Sequence, residues 1–394
     1  MSSALPPHLD PRGRHRGRGV HSNPARPVGR VLGALLSTAL LGLSGYYWLT
    51  FRDINTGLHR LSGVVVNQNP TNTKKDLDGK DQNILLVGND DRTNMTDKEI
   101  SDLHVGRDGG SLATDTMMIL HVPADGKRAT LISLPRDSFV KIPGYRDNKL
   151  NSAYANAYVD TRGPLKDKQT AGANLLIKTI TDLTGLTINH YIQVDLLGFY
   201  RISNAIKGVP INLCHAVDDT GAHNQATGVG GGSGLKLSAG KHTISGAEAL
   251  AFVRQRHNFP DGREDLDRVK RQQYFLTAAF RQVASVGILF QLNALGDAVK
   301  KSITFDPILD ILTLARQLEN LTANNIVGRT IPTTLGSDGS LQVDPPTVQA
   351  FVDKVVGPAS PSSSSPAGRK STGTSRTTPA PTKTATPIDS TCIN

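Results

Sequence analysis

Twenty residues, "RQRHNFPDGREDLDRVKRQQ" from Arg254 to Gln273, hold six basic and four acidic side chains. A guanidinium is a flat fork of N–H donors that matches two oxygens of one phosphate, so arginines converging from two segments suit phosphate or pyrophosphate. On a helix beginning at Asp265, residues Asp265, Arg268 and Gln272 fall at i, i+3 and i+7 and share a face, with Arg271 near its edge. Arg254 and Arg256, two positions apart, would diverge by about 200° on a helix. Both face one site if the helix before them ends near Val253 and the chain then runs extended, with Pro260 and Gly262 marking the loop into the next helix. Taken alone, the run reads better as a solvated helix face laced with ion pairs.

Carboxylates elsewhere add to the set. "LLVGNDDR" places Asp90, Asp91 and Arg92 in a polar loop after a strand, "ATDTMMIL" places Asp115 directly before one, and "SLPRDSFVKI" places Arg136 and Asp137 just after another. Strand ends are where α/β proteins hold ligand groups. A hard cation such as Mg²⁺ takes one or two carboxylates plus phosphate oxygens, and arginines neutralise the remaining charge. Singly, each of these aspartates reads as a turn former or helix cap. Asn151 and Tyr154 in "KLNSAYA" are further polar groups for such a site or for the core.

The elements that must position these groups alternate in type. Asn83–Gly88, Thr116–Val122 and Ala129–Leu134 are short apolar runs, the last two separated by the turn "PADGK". Gly172–Gly185 has helical spacing and stops at a glycine. "YIQVD" and "PINLC" read as strands, with "LLGFYRISNAI" a helix between them. Ser245–Val253 begins with an N-cap serine and Glu248 at capping-box spacing. The helix Asp265–Ser285 turns Val269, Tyr274, Phe275 and Ala278 inward. The expected fold class is α/β or α+β, a sheet with helices around it. "TGVGGGSG" (Thr227–Gly234) lacks the Lys-Ser/Thr of a phosphate loop and reads as a flexible surface loop; no Gly-x-Ser-x-Gly or His-Glu-x-x-His occurs.

The net charge of +10 belongs to the ends. Six arginines oppose only Asp10 in residues 1–30, and Arg369, Lys370, Arg376 and Lys383 oppose only Asp389 in the tail, so the stretch between is close to neutral. That argues against a nucleic-acid partner, which needs a basic face on the folded part. Val31–Phe51 carries no charge, is long enough for one bilayer crossing, and ends in Tyr46, Tyr47 and Trp48 at the depth of an interfacial belt. With the arginines holding the N-terminus in the cytoplasm, the run is an uncleaved anchor, a cleaved signal peptide being the alternative; either way the rest of the chain is extracellular. The two cysteines, Cys214 and Cys392, form a disulfide in that oxidising compartment or remain two thiols. The expected plan is therefore a basic N-terminus (1–30), a transmembrane anchor (31–51), a polar stalk (52–80), one domain (81–357) and a disordered Ser/Thr/Pro-rich tail (358–394).

In order, "NILLVGNDDR", "TDTMMILHV", "SLPRDSFVKIPG", "KLNSAYA", "ALAFVRQRH" and "DLDRVKRQQ" resemble the motifs of the LytR-CpsA-Psr family, from Asn83 to Gln273 and more loosely to about Asp353. The resemblance implies a mixed central sheet flanked by helices in an α-β-α arrangement, with an apolar pocket for a polyprenyl chain. It also implies a cell-membrane enzyme of cell-wall biogenesis, a phosphotransferase moving a glycopolymer such as teichoic acid from polyprenyl pyrophosphate to peptidoglycan through a phosphodiester link. Asp90 and Asp115 match acidic positions associated with Mg²⁺. Arg92, Arg136, Arg254, Arg256 and Arg268 match pyrophosphate-binding arginines, and Asp265 and Gln272 match their polar partners. Asp115, Arg136, Arg268 and Asp265 are thereby candidate catalytic residues, Asp265 either orienting Arg268 or helping to activate the acceptor hydroxyl. Ala113 stands where many members have arginine, and Asp267 where glycine is common. The same groups would serve a polyprenyl-pyrophosphate hydrolase, and Ala113 keeps open a non-catalytic lipid-binding protein of wall assembly.

Overall fold

The computed structural model describes residues 56–66, 81–92, 95–103, 110–220, 232–255, 264–285, 303–310, 325–336 and 340–357, with smaller pieces elsewhere that include Cys392 and Ile393. Residues up to Arg52 form a unit of their own, and Asp53 to Asn394 form the second. Among the described residues no helix is long and apolar enough to cross a membrane. The expected anchor at 31–51 is described only at scattered helical positions from 37 to 49, and the basic segment 1–30 and nearly all of the tail lie outside the described residues.

In chain order the second unit opens with β1 (His59–Arg60), β2 (Gln82–Asp91), α1 (Asp97–Asp102), β3 (Gly110–Val122) and β4 (Ala129–Ser133). A side hairpin, β5 (Ser138–Val140) and β6 (Asn148–Lys149), leads to α2 (Ser152–Asp160), α3 (Leu165–Thr184) and β7 (His190–Val194). There follow α4 (Leu196–Ala205), β8 (Val209–Leu213), β9 (Gly240–Ile244), α5 (Gly246–Arg254) and α6 (Glu264–Ser285), then β10 (Ile303–Phe305), β11 (Ile326–Thr330) and α7 (Pro345–Val356). The central sheet has seven strands in the order β1-β10-β7-β2-β3-β4-β11. It is mixed: β2 runs parallel to β7 and antiparallel to β3, and β4 parallel to β11.

Alternation along the strands divides the core. Leu85, Val87, Met117 and Ile119 point to one face and pack with Ala173, Leu176, Ile177 and Ile180 of α3 and Val348 and Val352 of α7. Ile84, Met118, Leu120 and Leu131 point to the other, against Leu276 and Phe280 of α6. Helices therefore cover both faces. Beside the sheet, α4, α5, α6 and the β8–β9 hairpin enclose a second apolar cluster centred on Phe252 and Phe275.

Several local expectations are corrected. Part of the segment read as a polar stalk is folded: β1 pairs with β10, and Leu61 and Val64 are buried in the core. A two-residue strand in polar sequence has no periodicity to betray it. α3 starts seven residues before Gly172, at Leu165, and ends on Gly185 in the left-handed region. Ser245 makes no side-chain cap, so the capping box is absent; the Gly246 N–H donates instead to Ser203 Oγ on α4 at 2.9 Å. β2 and β3 outrun their apolar cores, so Asp90, Asp91 and Asp115 lie within strands, where the register shifts at Gly88–Asp90 and leaves Asp115 at the first bulge.

Cys214 and Cys392 are joined by a disulfide. The Cys214 N–H donates to Ile393 O at 3.0 Å and the Ile393 N–H to Asn212 O at 2.8 Å, so the far end of the chain pairs alongside β8.

Candidate phosphate and lipid site

A cavity of about 1130 Å³ opens between the sheet, α4, α5 and α6. Its wall changes character along each element. Along β2 it runs from Leu86 to Asp90, with Arg92 just past the strand's end, on β3 from Met118 to Asp115, and on α6 from Phe280 and Leu276 to Gln272 and Arg268. The α6 positions recur at helical spacing, so one stripe of a single helix carries apolar groups at one end and a guanidinium at the other. The result is a charged mouth on an apolar throat completed by Phe199, Ile202 and Ile206 of α4.

Seven of the predicted residues meet at this cavity: Asp90, Arg92, Asp115, Arg136, Arg254, Arg268 and Gln272. Asp265 sits on the first turn of α6 with its side chain outside the described residues, and Arg256 lies outside them altogether. α5 ends at Arg254 and Gln255 follows with ψ 132, so the chain does leave the helix extended there. Asn151 and Tyr154 do not reach the cavity; Tyr154 is buried in the core on the other face of the sheet.

The charges are paired across elements. Arg92 Nε donates to Asp90 Oδ1 at 2.8 Å, with a second contact from Nη2 to Oδ2. Arg136 Nη1 donates to Asp115 Oδ1 at 2.5 Å and its Nε to Asp137 Oδ2 at 3.2 Å, while Lys149 Nζ lies 2.9 Å from Asp137 Oδ1. Burial works against the charge on Arg136, but Asp115 and Asp137 outweigh it and hold the guanidinium above its ordinary pKa. Burial likewise opposes ionisation of Asp137, and Lys149 and Arg136 overcome it, so that carboxylate sits below its ordinary value. Gln272 Nε2 reaches Val253 O at 3.4 Å, and Gln273, the next residue along α6, ties the helix to the sheet through Ser133 Oγ at 2.6 Å and Arg329 O at 2.9 Å.

Among the described residues no three His, Cys, Asp or Glu side chains gather as a metal cage. Asp90 and Asp115 both line the cavity, each paired with an arginine; one or two carboxylates are what a hard cation takes when its other ligands come from water and substrate phosphate.

Three features escape the sequence reading. Asp195, directly after β7, lines the cavity and caps α4 by accepting from the Gly198 N–H at 2.6 Å. Burial, reinforced by Asp91 and opposed by the Gly198 N–H and Arg201, raises its pKa to about 6. The Asp-Leu-Leu sequence after a strand signals the cap, though not the cavity. Asn89 also lines the wall, its Oδ1 buried with no hydrogen-bond partner among the described residues. The glycine-rich segment read as a surface loop in fact brings Gly232 and Ser233 to the cavity, where the Ser233 N–H donates to Asp219 Oδ2 at 2.9 Å.

Residues 55–354 match the LytR_cpsA_psr family. The cell wall biosynthesis protein LcpA of Corynebacterium glutamicum is 35% identical over 366 residues, which cover 85% of this chain and 67% of LcpA. The polyisoprenyl-teichoic acid–peptidoglycan teichoic acid transferase TagU of Oceanobacillus iheyensis is 29% identical over 75% of this chain and 84% of its own length. Among solved structures, TagT bound to LI-WTA superposes with a TM-score of 0.52 at 18% identity, over 76% of this chain and 97% of TagT, a likeness of fold.

Proposed function

The chain belongs to the LytR-CpsA-Psr family, and from that premise we propose that it is a phosphotransferase moving a glycopolymer from a polyprenyl-pyrophosphate carrier to peptidoglycan. The observation that carries this reading is the cavity itself, a mouth of arginines and carboxylates set on an apolar throat. A long hydrocarbon with a pyrophosphate head has that same division, and burying its chain gives about 0.8 kcal/mol per methylene.

In the proposed reaction the acceptor hydroxyl oxygen bonds to the glycan-side phosphorus as the bond to the bridging oxygen breaks. Polyprenyl phosphate leaves with the electron pair, and the hydroxyl proton passes to a carboxylate at the mouth. Arg92, Arg136, Arg254 and Arg268, with Arg256 by its motif, neutralise the charge that grows on the departing phosphate. Asp90 and Asp115 would hold Mg²⁺, which supplies Lewis-acid charge stabilisation at the phosphate oxygens. Asp115 paired to Arg136 keeps that guanidinium aimed across the mouth, Gln272 extends the donor set along α6, and Asp265 orients Arg268 or helps activate the acceptor.

The same reading puts the enzyme at the cell membrane. Val31–Phe51 serves as a single-pass anchor with residues 1–30 cytoplasmic and the catalytic unit outside, and the Cys214–Cys392 disulfide suits an oxidising exterior. The test uses full-length protein in detergent with a synthetic polyprenyl-pyrophosphate-linked glycan, Mg²⁺ and peptidoglycan oligomers, followed by mass spectrometry. Phosphodiester-linked product that needs the acceptor supports the transferase. Glycan phosphate and polyprenyl phosphate formed equally without acceptor replace it with a hydrolase, and bound but unchanged donor replaces it with a lipid-binding protein.

A further inference from the structure

Arg271 is the bulkiest fully buried side chain among the described residues, and it does not line the cavity. Interior space of that size is filled at lower cost by leucine or methionine, because a buried guanidinium gives up its hydration. Its surroundings explain the choice of residue. Nη1 donates to Gln255 Oε1, and the guanidinium carbon lies 4.8 Å from the centroid of the Phe252 ring. Asp219 and Asp267 supply opposing negative charge; Asp267 is buried, and Lys270 Nζ is 2.7 Å from its Oδ1.

These contacts join three pieces of the wall. Gln255 is fully buried and caps the end of α5, immediately after the cavity-lining Arg254. Arg268 and Gln272 belong to the same helix as Arg271. Asp219 lines the cavity and carries the glycine-rich segment, accepting from the Gly234 N–H at 3.0 Å as well as from Ser233. A Cβ on Gly232 would come within 2.0 Å of Asp219 O, so this segment is pressed against Asp219 with no room between. Asp267 thus stands beside a buried cation and faces away from solvent.

We propose that Arg271 is a positioning residue for donor binding: by holding Gln255 it sets the direction in which Arg254 enters the cavity mouth, without itself touching the donor. The inference rests on the proposed function, because Arg254 matters in this way only if the mouth holds phosphate. Removing the guanidinium leaves Gln255 Oε1 buried without this donor, and the end of α5 relaxes to recover one.

The experiment measures affinity for polyprenyl-pyrophosphate-linked disaccharide, turnover and thermal melting of the full chain. Arg271→Met is expected to weaken donor binding by about tenfold, the scale of a lost buried charged hydrogen bond, with kcat at saturating donor changed by less than about threefold. Gln255→Met should show the same loss, the double variant no more than either single, and Arg271→Lys a partial recovery because an ammonium can still donate to Gln255. Losses that add in the double variant, or an affinity loss that only follows the melting temperature, overturn the proposal. If Arg271→Met does not fold, the uncharged and similarly sized Gln255→Met decides, and unchanged binding there overturns it. Arg254→Ala separates the two levels of the argument. Wild-type affinity in that variant sinks the phosphate site and this inference together, whereas a loss there with none in the other variants sinks only the positioning role.

Discussion

Arg136 Nη1 and Asp115 Oδ1 lie 2.5 Å apart, joining the turn after β4 to the bulged part of β3 at the edge of the cavity. Both side chains are partly buried, and Asp137 on the other side of Arg136 is held in turn by Lys149. The guanidinium is therefore presented in one orientation before any ligand arrives. Arg136→Lys keeps the charge and loses the two-pronged geometry, so transfer should fall by about 10²-fold, comparable to removing one oxyanion donor. Steady-state kinetics with lipid-linked donor checks this; a loss of under threefold would mean that the fork is not used.

Asp90 is expected to set the Mg²⁺ requirement. With one carboxylate missing from a two-carboxylate set, Asp90→Asn should raise the Mg²⁺ concentration giving half-maximal rate by about tenfold or more, while chelator abolishes transfer in both proteins. Asn also ends the ion pair with Arg92. Adding Arg92→Gln to Asp90→Asn distinguishes the two effects: an unchanged Mg²⁺ demand in the double variant ties the shift to the lost metal ligand. Titration of rate against Mg²⁺ is the measurement, and identical curves for Asp90→Asn and wild type reject the assignment.

What could be read from sequence follows from how locally each feature is encoded. Arg268 and Gln272 are one helical turn apart on α6 and Arg254 ends α5, so spacing alone brings them close to a common site. Asp195 depends on a long-range register: Gly88 of β2 pairs with Val194 of β7, and only that pairing sets Asp195 beside the acidic end of β2. The resemblance implies an apolar pocket, but periodicity does not mark which residues line it. Phe275, Leu276, Ala279 and Phe280 have the same periodicity whether α6 packs against a sheet or borders a cavity; all four line the cavity, and Leu276 and Phe280 also pack against the sheet. Asp115 was misplaced because a bulged ribbon continues as strand through polar residues, where no apolar alternation marks it.

Asp195 gives a pH prediction with a definite sign. Its folded pKa of about 6 stands above the usual carboxyl value of 3.8, so the folded state holds this proton more tightly than the unfolded chain. That contribution to stability is fully present below about pH 4 and is lost as pH rises through about 6, a change of about 2–3 kcal/mol. Asp195→Asn keeps a good N-cap for α4 and never ionises. Its stability relative to wild type should therefore rise between pH 4 and 6 and stay level above that range. Denaturant midpoints at several pH values in the absence of divalent cations test this, and an offset that does not vary with pH rules it out.

The disulfide offers the last prediction. Cys214 and Cys392 are 178 residues apart in sequence, and the bond lies beside the Leu213–Ile393 bridge that pairs the chain's far end with β8. Closing so long a loop restricts the unfolded chain, and the loss of such a bond costs about 2–4 kcal/mol. Cys392→Ser should accordingly lower the melting temperature by several degrees for a unit of this size. β8 pairs with β9 and contacts α6, while the mouth is built from α5, α6 and the β2–β3 ribbon. Donor affinity at a temperature well below the melt should thus remain within about threefold of wild type, less than 1 kcal/mol. Melting and binding measured on the same preparation separate the two effects. A Cys392→Ser protein that melts like wild type removes the stabilising role, and one that is fully folded yet no longer binds donor makes the tether part of the site.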